Sequence, residues 1–266
     1  VMEADSIIDI KGKKLTIGNG DSQVKGKFEG SGSIVLNESK MTVSSINAAQ
    51  KASVDMNNAT LKLENAKALG SVALSSTGSA ASNLTLAAEG DYSNPLSGNI
   101  NLTIGDAAPA SAVEVALTGN NTGMSGQVNF QSGSKLTVSD LPNRIGTSAV
   151  DTSGGELHVK DAGTSIANTI TGDGKLHLEA AGKPETAFAG SGDAGFTGTV
   201  EGENIKFKAS GTANQFRNAD VVLGAGAEYK VDLSETVKSL NAKNGSTLDF
   251  SGTFNPLTVT NNLSLA

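Results

Sequence analysis

The chain has no cysteine and no tryptophan, and only two tyrosines, two histidines and five prolines in 266 residues. Without cysteine, neither a disulfide framework nor a thiolate metal site can form. Aromatics make up 4% of the residues, so the bulky side chains that fill a thick globular core are missing. Apolar residues reach 37%, below the roughly 45–50% of an average globular domain. Their patterning is nevertheless too regular for a disordered chain. A thin, repeating core fits this balance. No apolar run approaches the ~18 residues of a membrane span. The opening Val1-Met2-Glu3-Ala4-Asp5-Ser6 lacks the basic and apolar regions of a signal peptide.

Basic charge is also scarce. The net charge is −7, and arginine occurs only at 144 and 217. With no basic run interleaved with aromatics, nucleic acid is not expected as a partner. Lys11, Lys13, Lys14, Lys25 and Lys27 cluster near the start. They read as solvated strand edges rather than a polyanion site.

Glycine is abundant, at 32 residues, and it punctuates a beat. Gly133-Ser134-Lys135-Leu136-Thr137-Val138, Gly155-Glu156-Leu157-His158-Val159 and Gly174-Lys175-Leu176-His177-Leu178 each pair a glycine turn with apolar–polar alternation. That period of two marks half-buried strands. Leu136, Leu157 and Leu176 stand 21 and 19 residues apart, and a strand recurring about every 20 residues signals a solenoid. Earlier strands are expected at residues 14–17, 33–36, 40–43, 60–63, 83–86, 99–104 and 113–117. Later ones are expected at 204–207, 220–223, 228–231, 247–250 and 256–259. Residues 44–52, rich in alanine, read as a loop or a single turn. An antiparallel sandwich would space its strands by 8–12 residues. The longer beat instead predicts an all-β, single-stranded parallel β-helix with roughly 20 residues per coil.

A single such solenoid is expected over 1–266, with less regular coils in 1–130 and more regular, more aromatic ones in 131–266. At ~4.8 Å per coil, about 13 coils would make a rod of about 60 Å. Six of the eight phenylalanines, at 188, 196, 207, 216, 250 and 254, fall in the second half, which should therefore be the more stable. Outward positions are expected at Thr16, Thr42, Thr85, Thr103, Thr137, His158, His177, Lys206, Lys230, Asp249 and Thr258, stacked into polar ladders. The apolar alternation at Leu257-Thr258-Val259 and Leu263-Ser264-Leu265 continues to the last residue. A solenoid needs a cap, so the chain is expected to be a piece of a longer one.

The run Gly172-Asp173-Gly174-Lys175-Leu176-His177-Leu178, then Phe196-Thr197-Gly198-Thr199-Val200, then Asn218-Ala219-Asp220-Val221-Val222-Leu223-Gly224-Ala225-Gly226-Ala227-Glu228-Tyr229 resembles passenger repeats of bacterial autotransporters. Val237-Lys238-Ser239-Leu240-Asn241 and Asn244-Gly245-Ser246-Thr247-Leu248 resemble the coil that follows. The resemblance covers roughly 130–266. Filamentous haemagglutinin-like exoproteins and phage tailspikes share similar coils. One departure is Gly202-Glu203-Asn204-Ile205-Lys206-Phe207, where the family usually has a Gly-Thr-Leu strand. The resemblance implies a right-handed parallel β-helix carried across the outer membrane of a Gram-negative bacterium by a C-terminal β-barrel. It also implies adhesion, self-association or, in some members, a grafted enzyme.

Catalytic arrangements find little support. Gly20-Asp21-Ser22 is followed by Gln23 rather than the glycine of a serine-protease segment, and both histidines sit on regular strands. The span from Gly20 to Gly26-Lys27-Phe28 has the wrong length and ending for a phosphate loop. Gly18-Asn19-Gly20-Asp21, Gly172-Asp173-Gly174 and Gly190-Ser191-Gly192-Asp193 are isolated turns, not tandem calcium repeats. His158 and His177, one coil apart, are read as an exposed pair in a polar ladder. The pattern fixes no acidic residue beside them to complete a metal site.

The expected function is therefore non-enzymatic: a surface adhesin in cell aggregation, biofilm formation or host-matrix attachment, exposed at the cell surface or secreted, with no cofactor. Its partner would be a host extracellular-matrix protein or glycan, or an identical chain. The alternatives are a polysaccharide-processing β-helical enzyme, disfavoured by the lack of aromatic platforms, and a passive stalk. Catalytic and metal residues are expected to be absent. The contact surface is expected where the beat breaks, at residues 92–95, 106–112 and 183–194.

Overall fold

The computed structural model describes residues 1–47, 50–107, 110–161, 165–182, 185–190, 195–252 and 255–266. It is an all-β chain, 54% strand and 2% helix, wound as a parallel β-solenoid of about 12 turns with roughly 21 residues each. The expected fold class is thus observed. Two compact units are distinguished, Val1–Leu136 with Asn143–Ser148, and Thr137–Pro142 with Ala149–Ala266. Phe254, expected in the aromatic second half, lies outside the described residues.

In the first unit, alternate side chains point inward and meet their counterparts one coil away. Ile34, Val54, Leu74 and Leu96 form one aliphatic stack by parallel register. Met41, Leu61, Leu84, Leu102 and Val128 form a second. All nine are buried. The strand Gly32–Val43, expected as two, is continuous and pairs with both Ser53–Asn57 and Thr60–Leu63. It turns its corner at Glu38, which has φ of 49°, and the flanking register sets Asn19 (42°) and Asn58 (50°) at the same corner of adjacent coils. Asparagine tolerates this left-handed conformation better than most residues do. One left-handed residue per coil therefore bends the sheet without breaking its ladder.

Another part of the coil is held from inside by buried amides. Asn47 Oδ1 accepts from Phe28 N at 2.7 Å. Asn94 Nδ2 donates to the carbonyls of Val72 (2.8 Å) and Gly70 (3.2 Å). Asn121 does both, accepting from Leu96 N and donating to the Arg144 carbonyl, each at 2.8 Å. Where the backbone leaves the strand ladder it still needs partners, and these side chains supply them.

The second unit stacks Leu157, Leu176, Val200, Val221, Leu240 and Leu263 along one sheet. Thr186, Phe207, Tyr229 and Leu248 stack along another. Phe207 lies over Tyr229 with centroids 5.0 Å apart, and Phe216 meets Phe188 edge to face at 5.1 Å. This cluster explains the departure at Gly202. Gly202 occupies the inward row between Leu178 and Leu223, and a Cβ there would stand 2.8 Å from Phe207 Cε1. The missing side chain makes room for the ring. In the first unit Ile7 is 57% exposed, and in the second the inward-row residues Leu263 and Leu265 are 55% and 63% exposed.

Phe207→Ala is expected to cost about 3–5 kcal/mol, because the ring is fully buried among three others. Asn121→Ala removes the bonds to Leu96 and Arg144 together and is expected to cost about 2–4 kcal/mol. Urea unfolding of the two variants measures both.

Candidate functional site

Each unit turns a register of polar residues outward. In the first, Gln23, Thr42, Lys62, Thr85, Thr103 and Asn129 form one row across successive coils. Asn57 Nδ2 donates to Asn37 Oδ1 at 2.6 Å, and Thr77 Oγ1 donates to Asp55 at 2.9 Å. Lys62 binds Asp106 at 2.5 Å and Glu64 at 2.9 Å. These bonds, Asp106's first, hold its ammonium above its ordinary pKa. Lys11, Lys13, Lys14, Lys25 and Lys27 are all exposed, and Lys11 lies 3.6 Å from Asp9.

The outward rows of the second unit carry alternating charge. Glu185, Lys206 and Glu228 stack in register, and Lys206 reaches Glu228 at 2.5 Å and Asp249 at 3.5 Å. Lys208 joins Glu185 (2.6 Å) and Asp232 (3.1 Å). On the other sheet, Lys175 lies 3.7 Å from Glu156, its register partner, and 2.5 Å from Glu201. Burial pulls Lys175 down most strongly of any single influence, but Glu201 and Glu156 together outweigh it and leave its pKa raised. The same contact, chiefly the hydrogen bond from Lys175, holds the Glu201 carboxyl below its ordinary range.

His158 and His177 lie beside that lysine. They are register partners, and their rings stack 4.3 Å apart with only 5° between the planes. The expected stacking is present, but the expected exposure is not. The His158 side chain is 6% exposed and that of His177 14%. Acidic groups do stand beside them. Glu179 Oε2 is 3.0 Å from His158 Nε2. Glu156 Oε1 is 3.6 Å from His177 Nδ1, and Glu203 Oε2 is 3.8 Å from His177 Nε2. Each of these carboxylates belongs to a neighbouring coil and sits two residues out of direct register, where cross-strand diagonal neighbours lie within side-chain reach. The burial and the acidic neighbours have one cause: long glutamate side chains lean diagonally towards the imidazoles. The other expected outward positions are half-buried or exposed.

In the expected contact stretch at residues 92–95, side chains alternate between core and surface: Ser93 and Pro95 are exposed, whereas Tyr92 and Asn94 point inward. Tyr92 is 2% exposed and donates its hydroxyl to the Ala88 carbonyl at 3.0 Å, and Asn94 is also buried. Burial pushes the Tyr92 phenol up to about 12. At 106–112, Asp106–Ala107 pairs antiparallel with Ala110–Ser111. Residues 183–184 and 191–194 lie outside the described residues, and Glu185–Phe188 between them is a strand.

Among the described residues, Glu235 is an acid buried without a cation in contact. It is 2% exposed and opens the strand Glu235–Ala242, and its Oε1 accepts from Asn214 N at 3.0 Å. Burial pushes its pKa up to about 7, against the opposing effect of backbone bonds from Asn214 and Gln215. The nearby Tyr229 phenol is raised well above its ordinary value, mainly by burial and further by Glu235.

Comparison with family models, with curated proteins and with solved structures finds no match.

Glu235 should make stability depend on pH. Below about pH 4.5 the carboxyl is protonated in both folded and unfolded chains, so it costs nothing. Between there and about pH 7 only the unfolded chain releases the proton, and folding stability falls, by about 3 kcal/mol at most. Glu235→Gln is expected to flatten this decline and to be the more stable form at pH 8, as read from urea midpoints at pH 4.5, 6 and 8.

Proposed function

We propose that this chain is an exported adhesive module of the autotransporter-passenger type, acting at a bacterial cell surface through its outward polar rows rather than through catalysis. The observation that carries this reading is the in-register row Gln23, Thr42, Lys62, Thr85, Thr103 and Asn129. It repeats a small hydrogen-bonding group at nearly every coil, on a backbone that the aliphatic stacks hold in place. A single threonine or asparagine offers a weak contact. Repeated at the spacing of a partner that is itself periodic, many such contacts engage together, and surface display multiplies them further.

The partner is a second copy of the chain, or a host extracellular-matrix protein or glycan. In an identical chain, hydroxyl and amide groups meet at matching intervals, since both rows follow the same interstrand distance. The resemblance of residues 130–266 to autotransporter passenger repeats supports the same reading, including export to the cell surface.

Beads coated with the chain are expected to cluster, or to adhere to matrix-coated surfaces. The triple variant Thr42→Ala, Thr85→Ala, Thr103→Ala is expected to lose most of that binding with its β circular-dichroism signal unchanged, since it removes hydrogen-bonding groups from the row without stacking like charges. Dispersed beads that also fail to adhere to matrix protein and glycan would overturn the proposal.

A further inference from the structure

We propose that Glu156, His158 and His177 form a binding site for a divalent transition-metal ion, of which Zn²⁺ is the representative probe. One ligand atom from each of the three lies within 4.8 Å of the others. Tetrahedral zinc, with bonds of about 2.0–2.2 Å, needs its ligand atoms roughly 3.3 Å apart. The set therefore closes by small side-chain rotations. The parallel rings present their nitrogens side by side, so one imidazole must turn about its outer torsion to aim a lone pair at a shared ion. That sp³–sp² torsion is a soft one. Glu156 is half-buried and already faces His177 Nδ1 at 3.6 Å.

The surrounding groups already do the work of orientation. Glu179, at 3.0 Å from His158 Nε2, holds the proton on that nitrogen and leaves Nδ1 as the ligand atom. Glu203 stands 3.8 Å from His177 Nε2, and Glu156 faces the same ring at Nδ1. Glu179 on the far nitrogen of His158 fixes that ring's tautomer and raises its basicity, as second-layer partners of zinc histidines do, whereas Glu203, at 3.8 Å, adds negative charge beside His177 without a hydrogen bond.

Charge also favours a cation. Three carboxylates, Glu156, Glu179 and Glu203, face the ring nitrogens. Lys175 and Lys243 bind Glu156 and Glu201, and exposed Lys160 stands in register with Glu179. Two imidazolium rings would set like charges about 4 Å apart, which Coulomb repulsion opposes. A single divalent ion supplies the same two charges without that repulsion. Zinc, nickel, copper and cobalt accept imidazole and carboxylate together, whereas calcium and magnesium prefer oxygen ligands throughout.

The test uses the whole chain without a polyhistidine tag, because the protein has only two histidines of its own. Calorimetric titration with Zn²⁺ at pH 7.5 is expected to show one saturable site per chain. Co²⁺ in its place is expected to give visible absorption of a tetrahedral or five-coordinate site. Glu156→Gln and His177→Asn are each expected to weaken Zn²⁺ binding at least about tenfold. Glu201→Gln, which removes a neighbouring carboxylate outside the set, is expected to change affinity less than about twofold. His158 is the most buried member and the one whose replacement most endangers folding, so the decisive variants are those of Glu156 and His177. The proposal is overturned by absence of saturable one-to-one uptake, by Glu156→Gln and His177→Asn proteins that bind as the parent does, or by equal losses in Glu201→Gln and Glu156→Gln.

Discussion

Parallel, in-register hydrogen bonding between successive coils is the constraint on which everything else here depends. Once Leu157 is bonded in register with Leu176, and Leu176 with Val200, every side chain has a fixed neighbour about 4.8 Å above and below it. Residues at equivalent positions must therefore be compatible with near-copies of themselves. Aliphatic side chains satisfy this inside, where Ile34, Val54, Leu74 and Leu96 pile up without changing the width of the core. Outside, uncharged hydroxyls and amides satisfy it, and opposite charges satisfy it by alternating, as Glu185, Lys206 and Glu228 do; like charges repel where they stack, as Glu179 and Glu203 do. The low aromatic content follows from the same rule, since a ring in one coil needs room in the next.

Departures from uniform stacking occur in compensated pairs. The phenylalanine–tyrosine cluster of the second unit widens the core at one sheet, and Gly202 on the other sheet gives up its side chain to Phe207. Where the backbone bends away from its ladder, Asn47, Asn94 and Asn121 turn inward and complete the lost bonds. These amides are worth more than their area, since an unpaired buried peptide group costs about as much as a full hydrogen bond. Glu235 is the imperfect case. Its Oε1 is bonded to the backbone, but burial still works against its charge, and that is the physical source of its raised pKa.

Much of this was legible from residue order alone, because period-two alternation and a recurrence near 20 residues are properties of the sequence. The strands Thr60–Leu63, Ser82–Leu86 and Asp220–Leu223 fall where the pattern placed them. Those it missed are short and polar. Leu74–Ser76 has a single aliphatic residue, and Ser53–Asn57 mixes serine, aspartate and asparagine that otherwise read as turn. They are strands because the coils on either side pair with them, a tertiary effect that local propensity does not contain. The inward asparagines were hidden for the same reason, as nothing in one sequence distinguishes a buried corner amide from a loop amide. The carboxylates around the histidines were readable in principle. Glu156 stands two residues before His158, and Glu179 two after His177, so a 19-residue coil sets each diagonally across from the other histidine. Considering only residues stacked directly above one another left both glutamates out and made the imidazoles look exposed.

That diagonal relation is what separates the histidine pair from the rest of the outer surface. A lysine among carboxylates, such as Lys206 with Glu228 and Asp249, is a charge ladder that closes on itself. Its members are already neutralised by one another. An imidazole is not a permanent cation. When His158 and His177 are neutral, Glu179 and Glu203 face dipoles rather than charges, and the local balance stays negative despite Lys175. The solenoid thus repeats a closed electrostatic motif along its sheets and interrupts it where two titratable rings replace fixed cations. A regular scaffold makes such an interruption chemically specific. The same register that stacks leucines within the core places two imidazoles and a carboxylate together outside it, with no loop needed to assemble them.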